Sequence, residues 1–316
     1  MKEETGETAA RARKAVFRIE TARKITQFCC FLLFNAVVFG LGPWPILLPV
    51  LGSLGTPSKT VGEAFGALQF TLYRLSLAAL LALASVFLTA VFLSRALCGW
   101  ACPFGFAQDL LGYVKRKHTQ VSLSTHKWMI KVKYGVLAIA LFVSGTLAAS
   151  FAMGMGTSYR EALGDFAKAP FNALSPADTL FAVLPRIVFD IRYAIPTLES
   201  YEAAVAGILS VPTLLWIRFA IMILIIALAT YVPRGWCRYL CPQGAFSALI
   251  SRFSFLGLKR DLVKCAKVGC RDCVEACPMM VRILDLPWEK FTDPECIYCL
   301  KCADACPTKA IKPKFP

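Results

Sequence analysis

The chain has 316 residues, of which 57% are hydrophobic and 17% charged, with a mean hydropathy of +0.58 and a formal net charge of +15. Charged residues make up about a quarter of ordinary soluble domains, so this composition excludes a typical soluble protein and indicates a membrane protein. The basic residues form no stripe interleaved with aromatic residues, so a nucleic-acid partner is not expected.

Four apolar stretches follow one another along the chain. Each comes close to the length of about 20 residues that crosses roughly 30 Å of hydrocarbon as a helix. Basic residues are concentrated in the N-terminal tail, between the second and third stretches, and after the fourth. Because cytoplasmic loops carry the excess of Lys and Arg, both termini are expected on the cytoplasmic side. The predicted spans are Ile25–Leu41, Leu75–Leu93, Tyr134–Met153 and Thr213–Val232.

Two Cys-x-x-x-Cys-Pro elements stand at the cytoplasmic ends of the second and fourth predicted spans. When they are aligned, Pro103 falls on Pro242 and Gly105 on Gly244, which indicates a weak internal repeat of span, cysteine turn and short surface helix. Two thiolates cannot complete a cubane, whereas two such turns together supply four. We therefore expect one [4Fe-4S] cluster shared between the turns; a redox-active dithiol pair and ligation of other clusters are the alternatives. The four cysteines are Cys98, Cys102, Cys237 and Cys241.

The polar C-terminal segment carries two further cysteine runs. The second run follows the C-x2-C-x2-C-x3-C-P spacing of bacterial two-cluster ferredoxins, and the first has four residues instead of two between its first pair. Zinc is the alternative, since paired cysteines also build zinc ribbons, but two adjacent runs that each end in Cys-Pro favour iron–sulfur clusters. In such pairs the fourth Cys of each run binds the other cluster. This predicts one [4Fe-4S] cluster on Cys265, Cys270, Cys273 and Cys306, and another on Cys296, Cys299, Cys302 and Cys277.

With these four cysteine elements, the chain from Ile25 onward resembles the NapH/MauN-type membrane ferredoxin-like proteins. The resemblance implies an all-α membrane protein of four transmembrane helices with an internal pseudo-repeat, followed by a two-cluster ferredoxin-like α+β domain. It also implies a prokaryotic inner-membrane location, with both termini and the clusters on the cytoplasmic side. The expected domains are a basic tail (1–24), a membrane domain (25–257) and the ferredoxin-like domain (258–316).

The same resemblance implies an electron-transfer subunit that carries electrons along [4Fe-4S] clusters between quinol and a redox partner. Membrane lipid, the quinone pool and other subunits of an oxidoreductase complex are the expected partners. The alternative is an accessory or regulatory membrane ferredoxin that reduces a metal or maintains the redox centre of another enzyme. The sequence does not identify catalytic residues. It contains no C-x-x-C-H motif, and its two histidines lie in a predicted loop, so haem is not expected.

Two isolated charges have two interpretations each. Asp109 is a possible proton acceptor for quinol or a favourable charge near a helix N-terminus. Arg218 is a functional charge inside the fourth predicted span or a side chain that extends to the interface. Cys29 and Cys30 have no partner spacing, and we interpret them as small apolar residues.

Overall fold

The structure is a computed structural model. The predicted N-terminal tail up to residue 18, the end of the first predicted span and residues 75–76 of the second lie outside the described residues. The structure describes residues 19–35, 47–52, 62–73, 77–115, 121–167, 170–185, 187, 213–265 and 269–315.

Helices dominate the described residues between 19 and 251 because long Leu-, Ala- and Ile-rich runs continue without an internal proline. Two of them, α6 and α9, are long and apolar enough to cross a membrane. They contain the third and fourth predicted spans except for the last residue of each, Met153 and Val232. Helix α3 has 16 residues, so four transmembrane helices remain a prediction. The helices are α1 (19–34), α2 (Ala64–Tyr73), α3 (Ala78–Leu93), α4 (Ala96–Trp100), α5 (Pro103–Leu111), α6 (Leu123–Ala152), α7 (Gly156–Leu163), α8 (Pro176–Asp178, continued by a π-helical turn Thr179–Val183), α9 (Thr213–Tyr231), α10 (Gly235–Tyr239) and α11 (Pro242–Ser251).

The two cysteine turns are built from the same order of elements. In each, an apolar helix (α3 or α9) is followed by a residue in the left-handed region, Ser94 or Arg234, and then by a five-residue helix. The second cysteine of each turn is extended, and a helix that begins on proline follows it. Proline disfavours helical geometry in the residue before it and is well suited to the first helical position. Each Cys-Pro therefore ends one helix and starts the next.

Residues 257–314 form a small α+β unit. Strand β3 (Gly257–Arg260) pairs antiparallel with β4 (Ile311–Lys314), so the two ends of this unit lie side by side. Helices α12 (Asp272–Glu275) and α13 (Lys301–Ala305) each carry the third cysteine of a run. Its core consists of Leu258, Met279, Val281, Ile283, Phe291, Ile297, Tyr298 and Ile311 with cysteines of both runs.

The α+β unit packs directly on the helical part. The Trp100 indole donates to the carbonyl of Tyr298 at 2.8 Å, and the Phe255 amide donates to the carbonyl of Val91 at the same distance. Residues 47–52, which belong to neither part, contact the start of α5: the Phe104 amide donates to the carbonyl of Leu51 at 3.1 Å. Residues 47–52 contain β1 (Leu47–Leu48), which pairs in parallel with β2 (Gly62–Glu63).

Candidate iron–sulfur centres

The C-terminal cysteines line two small cavities, each with four thiols. One, which we call the proximal cavity, has about 370 Å³ of space between protein atoms, part of which is open to solvent. The other, the distal cavity, is of similar size. In both, the fourth cysteine of one run joins the first three of the other, which is the grouping expected from the crossing rule. The proximal cavity is lined by Cys277, Cys296, Cys299 and Cys302, and the distal cavity by Cys265, Cys270, Cys273 and Cys306.

The other four predicted ligands line a third cavity, which lies between the two Cys-Pro turns. We call it the junction cavity. Cys102, Cys237 and Cys241 are each about 95% buried there, and Cys98 is half-buried. Leu51, which is far away in sequence, also lines it and donates its amide to the Cys102 sulfur at 3.3 Å. The structure thus brings all twelve predicted cysteines into three sets of four.

Hydrogen bonds reach the sulfurs in every set. At the junction cavity the Gln108 amide donates to Cys237 Sγ at 3.1 Å, and the Gly244 amide donates to Cys241 Sγ at 3.2 Å. In the C-terminal unit, the amides of Val281 and Ala310 donate to the fourth cysteines of their runs at 3.4 and 3.3 Å. Such N–H···S bonds favour negative charge on sulfur and are one of the means by which a protein tunes an iron–sulfur centre.

The protein alone does not keep these thiols ionised. Burial, followed by the neighbouring Cys98 and Cys237, raises the pKa of Cys102 to about 12. Burial and Cys299 raise the pKa of Cys277 to about 11. A cationic metal centre is what converts such thiols to thiolates near neutral pH.

Charged side chains around the junction cavity provide a test of whether a cluster fits there. Arg23, Arg95, Lys133 and Arg234 are at most 1% exposed. Among the described residues that these cations contact, the well-buried carboxylates are Asp109 and Glu295. A buried charge without a counter-charge is costly, so this excess of positive charge is favourable only beside an anionic group. Four thiolates on a [4Fe-4S] core supply net negative charge, and the residues present therefore fit a cluster.

Asp109 has neither of its predicted roles. It lies in the last turn of α5, not the first, so it is not a charge at a helix N-terminus. Its carboxylate accepts from Arg234 at 2.8 and 2.6 Å, from Arg23 at 2.9 Å and from Gln27 at 3.0 Å. Burial alone would raise the pKa of Asp109, but Arg234 and then Arg23 hold that pKa well below its usual range. The carboxylate therefore joins α1, α5 and the second turn as an ion pair and is a poor proton acceptor.

Arg95 and Arg234 connect the two turns reciprocally. Each lies three residues before the first cysteine of its own turn. Arg234 donates to the carbonyl of Cys98 at 2.7 Å, and Arg95 donates to the carbonyl of Cys237 at 3.4 Å. A glycine makes room for Arg95: a Cβ atom on Gly244 would lie 2.8 Å from its guanidinium. The repeat alignment pairs these arginines, so the sequence already contained this signal.

The junction and proximal cavities meet where α4 lies on the second C-terminal run. Gly99, next to Cys98, packs against Ile297, next to Cys296, so closely that a Cβ on Gly99 would lie 2.2 Å from the Ile297 carbonyl oxygen. The proximal and distal sets in turn share both runs. The three sets of thiols therefore follow one another from the helical part into the α+β unit.

A larger groove opens beside the proximal cavity at the ends of α6 and α9. Its wall includes Cys277, Leu123 and Pro233, together with several basic side chains. Arg238 is 3% exposed, and its Nε atom has no hydrogen-bond partner among the described residues. Its other nitrogens make long contacts of 3.4 Å to the Pro233 carbonyl and to His126 Nδ1.

Three further residues singled out in the sequence, Arg218, Cys29 and Cys30, lie away from the cavities. Arg218 pairs with Asp178 of α8 at 3.3 Å, so it has a counter-charge within the protein. Cys29 is exposed, and Cys30 packs against the apolar core, outside all three cavities. Within the described parts of the chain, no group of three or more His, Cys, Asp or Glu residues is placed to hold a single metal ion.

Family models match both cysteine-rich parts of the chain. A model described as "4Fe-4S binding domain" matches residues 75–119 and 214–261, which contain the two Cys-Pro turns. A model described as "4Fe-4S dicluster domain" matches residues 264–311. These matches assign iron–sulfur binding to the same segments that line the three cavities.

Several proteins are similar along most of the chain. The uncharacterized protein MJ0750 of Methanocaldococcus jannaschii is 26% identical over 254 residues, which cover 78% of this chain and 84% of that protein. The putative electron transport protein YccM of Escherichia coli is 24% identical, over 73% of this chain and 54% of YccM. The ferredoxin-type protein NapH of Haemophilus influenzae is 25% identical, over 71% of this chain and 63% of NapH. The chain thus spans less than two thirds of YccM and NapH. No solved structure matches it.

The thiol sets, the 4Fe-4S domain matches and the similarity to electron-transport and ferredoxin-type proteins define the class: an iron–sulfur protein with an electron-transfer role. Within that class, the chain is similar to the NapH/MauN-type ferredoxin proteins, as the sequence resemblance predicted.

Proposed function

We propose that the chain holds three [4Fe-4S] clusters and relays electrons between the quinone pool and a redox partner subunit. Each cluster, when bound, supplies a one-electron carrier whose potential depends on burial and hydrogen bonding. Cys98, Cys102, Cys237 and Cys241 would hold the junction cluster, Cys277, Cys296, Cys299 and Cys302 the proximal cluster, and Cys265, Cys270, Cys273 and Cys306 the distal cluster.

The observation that carries this proposal is the succession of three four-thiol cavities. The junction and proximal cavities meet at the contact between Gly99 and Ile297, and the proximal and distal cavities share the two C-terminal runs. The junction thiols are largely buried, next to the helices that contain the apolar spans. Cys265, Cys270 and Cys306 of the distal set are only half-buried. This gradient of burial suits a relay whose outer end meets a soluble partner.

Other residues of this chain hold the thiol sets in position and shield them from water. Arg95 binds the Glu295 carboxylate at 3.1 Å, and Lys133 of α6 binds the same carboxylate. Since Glu295 immediately precedes Cys296, these two cations anchor the loop that carries the proximal thiols. Phe104 and Trp236 pack edge to face, with ring centroids 6.0 Å apart, in the apolar core beside the junction cavity. This packing keeps water away from the junction thiols.

The groove beside Cys277 supports a quinone site. It combines apolar side chains with several basic ones, which can donate to a quinone oxygen, and it opens at the ends of the two apolar helices. Arg238, which lines the groove, would donate from its guanidinium to a quinone oxygen. His126 and Tyr239, joined by a hydrogen bond of 2.9 Å, contact Arg238 and would hold its guanidinium in place.

The test is reduction of the clusters by a soluble quinol analogue, with the purified chain in lipid nanodiscs and EPR as the readout. We expect quinol to reduce the clusters of the wild type. Arg238→Gln should slow this reduction at least about tenfold, because a hydrogen bond between a charged donor and the substrate is lost. Dithionite should still reduce every cluster. Arg252→Gln is the control, since the exposed Arg252 does not line the groove.

The other outcomes separate the alternatives. Clusters that dithionite reduces but quinol leaves oxidised would contradict the quinone proposal and favour the accessory role. Equal quinol rates in Arg238→Gln and wild type would remove the groove as the quinone site.

A further inference from the structure

Gln243 lies at the junction cavity in an environment that the protein does not satisfy. It is the second residue of α11, two positions after Cys241, and its side chain is 1% exposed. It lines the cavity together with the four junction thiols. Neither its amide nitrogen nor its amide oxygen has a hydrogen-bond partner among the described residues. Buried side-chain amides are rarely left without a partner, so this one requires an explanation.

Packing does not explain the polar side chain. In the first turn, the equivalent position two residues after Cys102 is Phe104, which is 3% exposed and lines the same cavity. One half of the repeat therefore fills this position with an apolar ring. The amide in the other half is the costlier choice, unless the cavity holds something that accepts its N–H groups.

A second glutamine provides the comparison. Gln108 donates to Cys237 Sγ at 3.1 Å and accepts from the Trp236 amide at 3.2 Å, so both ends of its amide have protein partners. The Nε atom of Arg95 is a second buried donor without a partner, and Arg95 also lines the cavity. Two unsatisfied donors beside four thiols indicate that the acceptor belongs to the group that those thiols hold.

We infer that the Gln243 side chain donates a hydrogen bond to a sulfur of the junction cluster and thereby raises the reduction potential of that cluster. This inference rests on the proposed junction cluster but not on the quinone site. Reduction adds negative charge to the cluster, and an N–H donor at sulfur stabilises the reduced form more than the oxidised form. The same donor leaves the proximal and distal clusters unaffected, because it does not line their cavities.

The experiment is an EPR-monitored redox titration of the full chain with dithionite, comparing wild type, Gln243→Met and Gln69→Met. Methionine keeps the length of the side chain and removes the donor. We expect the equilibrium constant for reduction of one cluster to fall about three- to tenfold in Gln243→Met, a shift of roughly 30 to 60 mV to more negative potential. Gln69→Met should shift none, since that buried amide binds Phe65 and Phe171 away from the cysteines.

An unchanged set of potentials in Gln243→Met, with iron content intact, would overturn the inference. If this variant loses the junction iron, the test is made on the wild type instead. Its glutamine side-chain amides are labelled with nitrogen-15, and pulsed EPR measures their couplings to the reduced cluster. Couplings from two amide nitrogens, those of Gln108 and Gln243, support the inference, and a single coupling overturns it. About eight irons in the wild type would overturn the junction cluster and this inference together, whatever the quinol experiment shows.

Discussion

At the scale of single residues, the ion pairs beside the junction cavity have the largest energetic consequences. Asp109 is the counter-charge for Arg23 and Arg234, and all three side chains are less than 10% exposed. Removal of one partner of a buried pair leaves an uncompensated charge, which costs far more than the loss of an exposed pair.

Asp109→Asn should therefore lower the free energy of unfolding by about 3–5 kcal/mol, because two buried guanidinium groups lose their carboxylate. Asp285→Asn is the matched control. Its pair with Arg282 is more than half exposed, so the expected change is within about 0.5 kcal/mol. Denaturant unfolding in detergent micelles measures both variants. Equal effects would contradict the role that we assign to Asp109.

The pH dependence of that difference follows from the depressed pKa of Asp109. A carboxylate whose folded pKa lies below its unfolded value stabilises the fold above the unfolded pKa, and this contribution is lost as the pH falls toward the folded value. The difference between wild type and Asp109→Asn should stay constant from pH 8 to about pH 5 and shrink below about pH 4. A difference that falls between pH 8 and pH 6 would contradict this assignment.

At the scale of elements, the contact between α4 and the second C-terminal run couples two thiol sets. It depends on Gly99, where a side chain has no room, and on the hydrogen bond from Trp100 to the Tyr298 carbonyl. Packed interiors respond to an inserted methyl group by local displacement, so a small change here should alter the spacing of the two sets.

Gly99→Ala should destabilise the protein by about 1–3 kcal/mol through overpacking and slow electron exchange between the junction and proximal clusters. Gly145→Ala is the control, because nothing lies within 4 Å of a Cβ at that position of α6. It should be neutral or stabilising by up to about 1 kcal/mol. Freeze-quench EPR after partial reduction follows the exchange. Unchanged exchange in Gly99→Ala would show that this contact is not the route.

Local sequence patterns predicted the apolar helices and the cysteine sets. The features that the sequence did not predict depend on contacts between residues far apart in the chain. The apolar runs of α6 and α9 and the cysteine spacings are properties of short segments, so the sequence shows them. Residues 47–52 reach Cys102 through tertiary packing, which no local pattern encodes. The ion pairs of Asp109 depend on helices far apart in sequence, and for this reason both predicted roles were wrong. Gln108 and Gln243 had no motif, whereas Arg95 and Arg234 could have been found from the repeat alignment.

At the scale of the whole molecule, an electron relay through this chain requires that all three thiol sets lie on one side of the membrane. The expectation that this side is cytoplasmic comes from the basic residues that flank the predicted spans. The α+β unit contacts the cysteine turns directly, so the C-terminus must lie on the same side as the turns.

A green fluorescent protein fused after residue 316 should therefore fluoresce, because it folds in the cytoplasm. The same reporter fused after Met155, beyond the other end of α6, should stay dark. Fluorescence in the second fusion and not in the first would reverse the predicted orientation.

The central claim, that twelve cysteines from distant parts of one chain hold three clusters, is tested most directly by counting iron and acid-labile sulfide in the purified protein. We predict about twelve of each per chain in the wild type, about eight after Cys98→Ser with Cys237→Ser, and about twelve after Cys29→Ser with Cys30→Ser. About eight in the wild type, or zinc in place of iron, would contradict it.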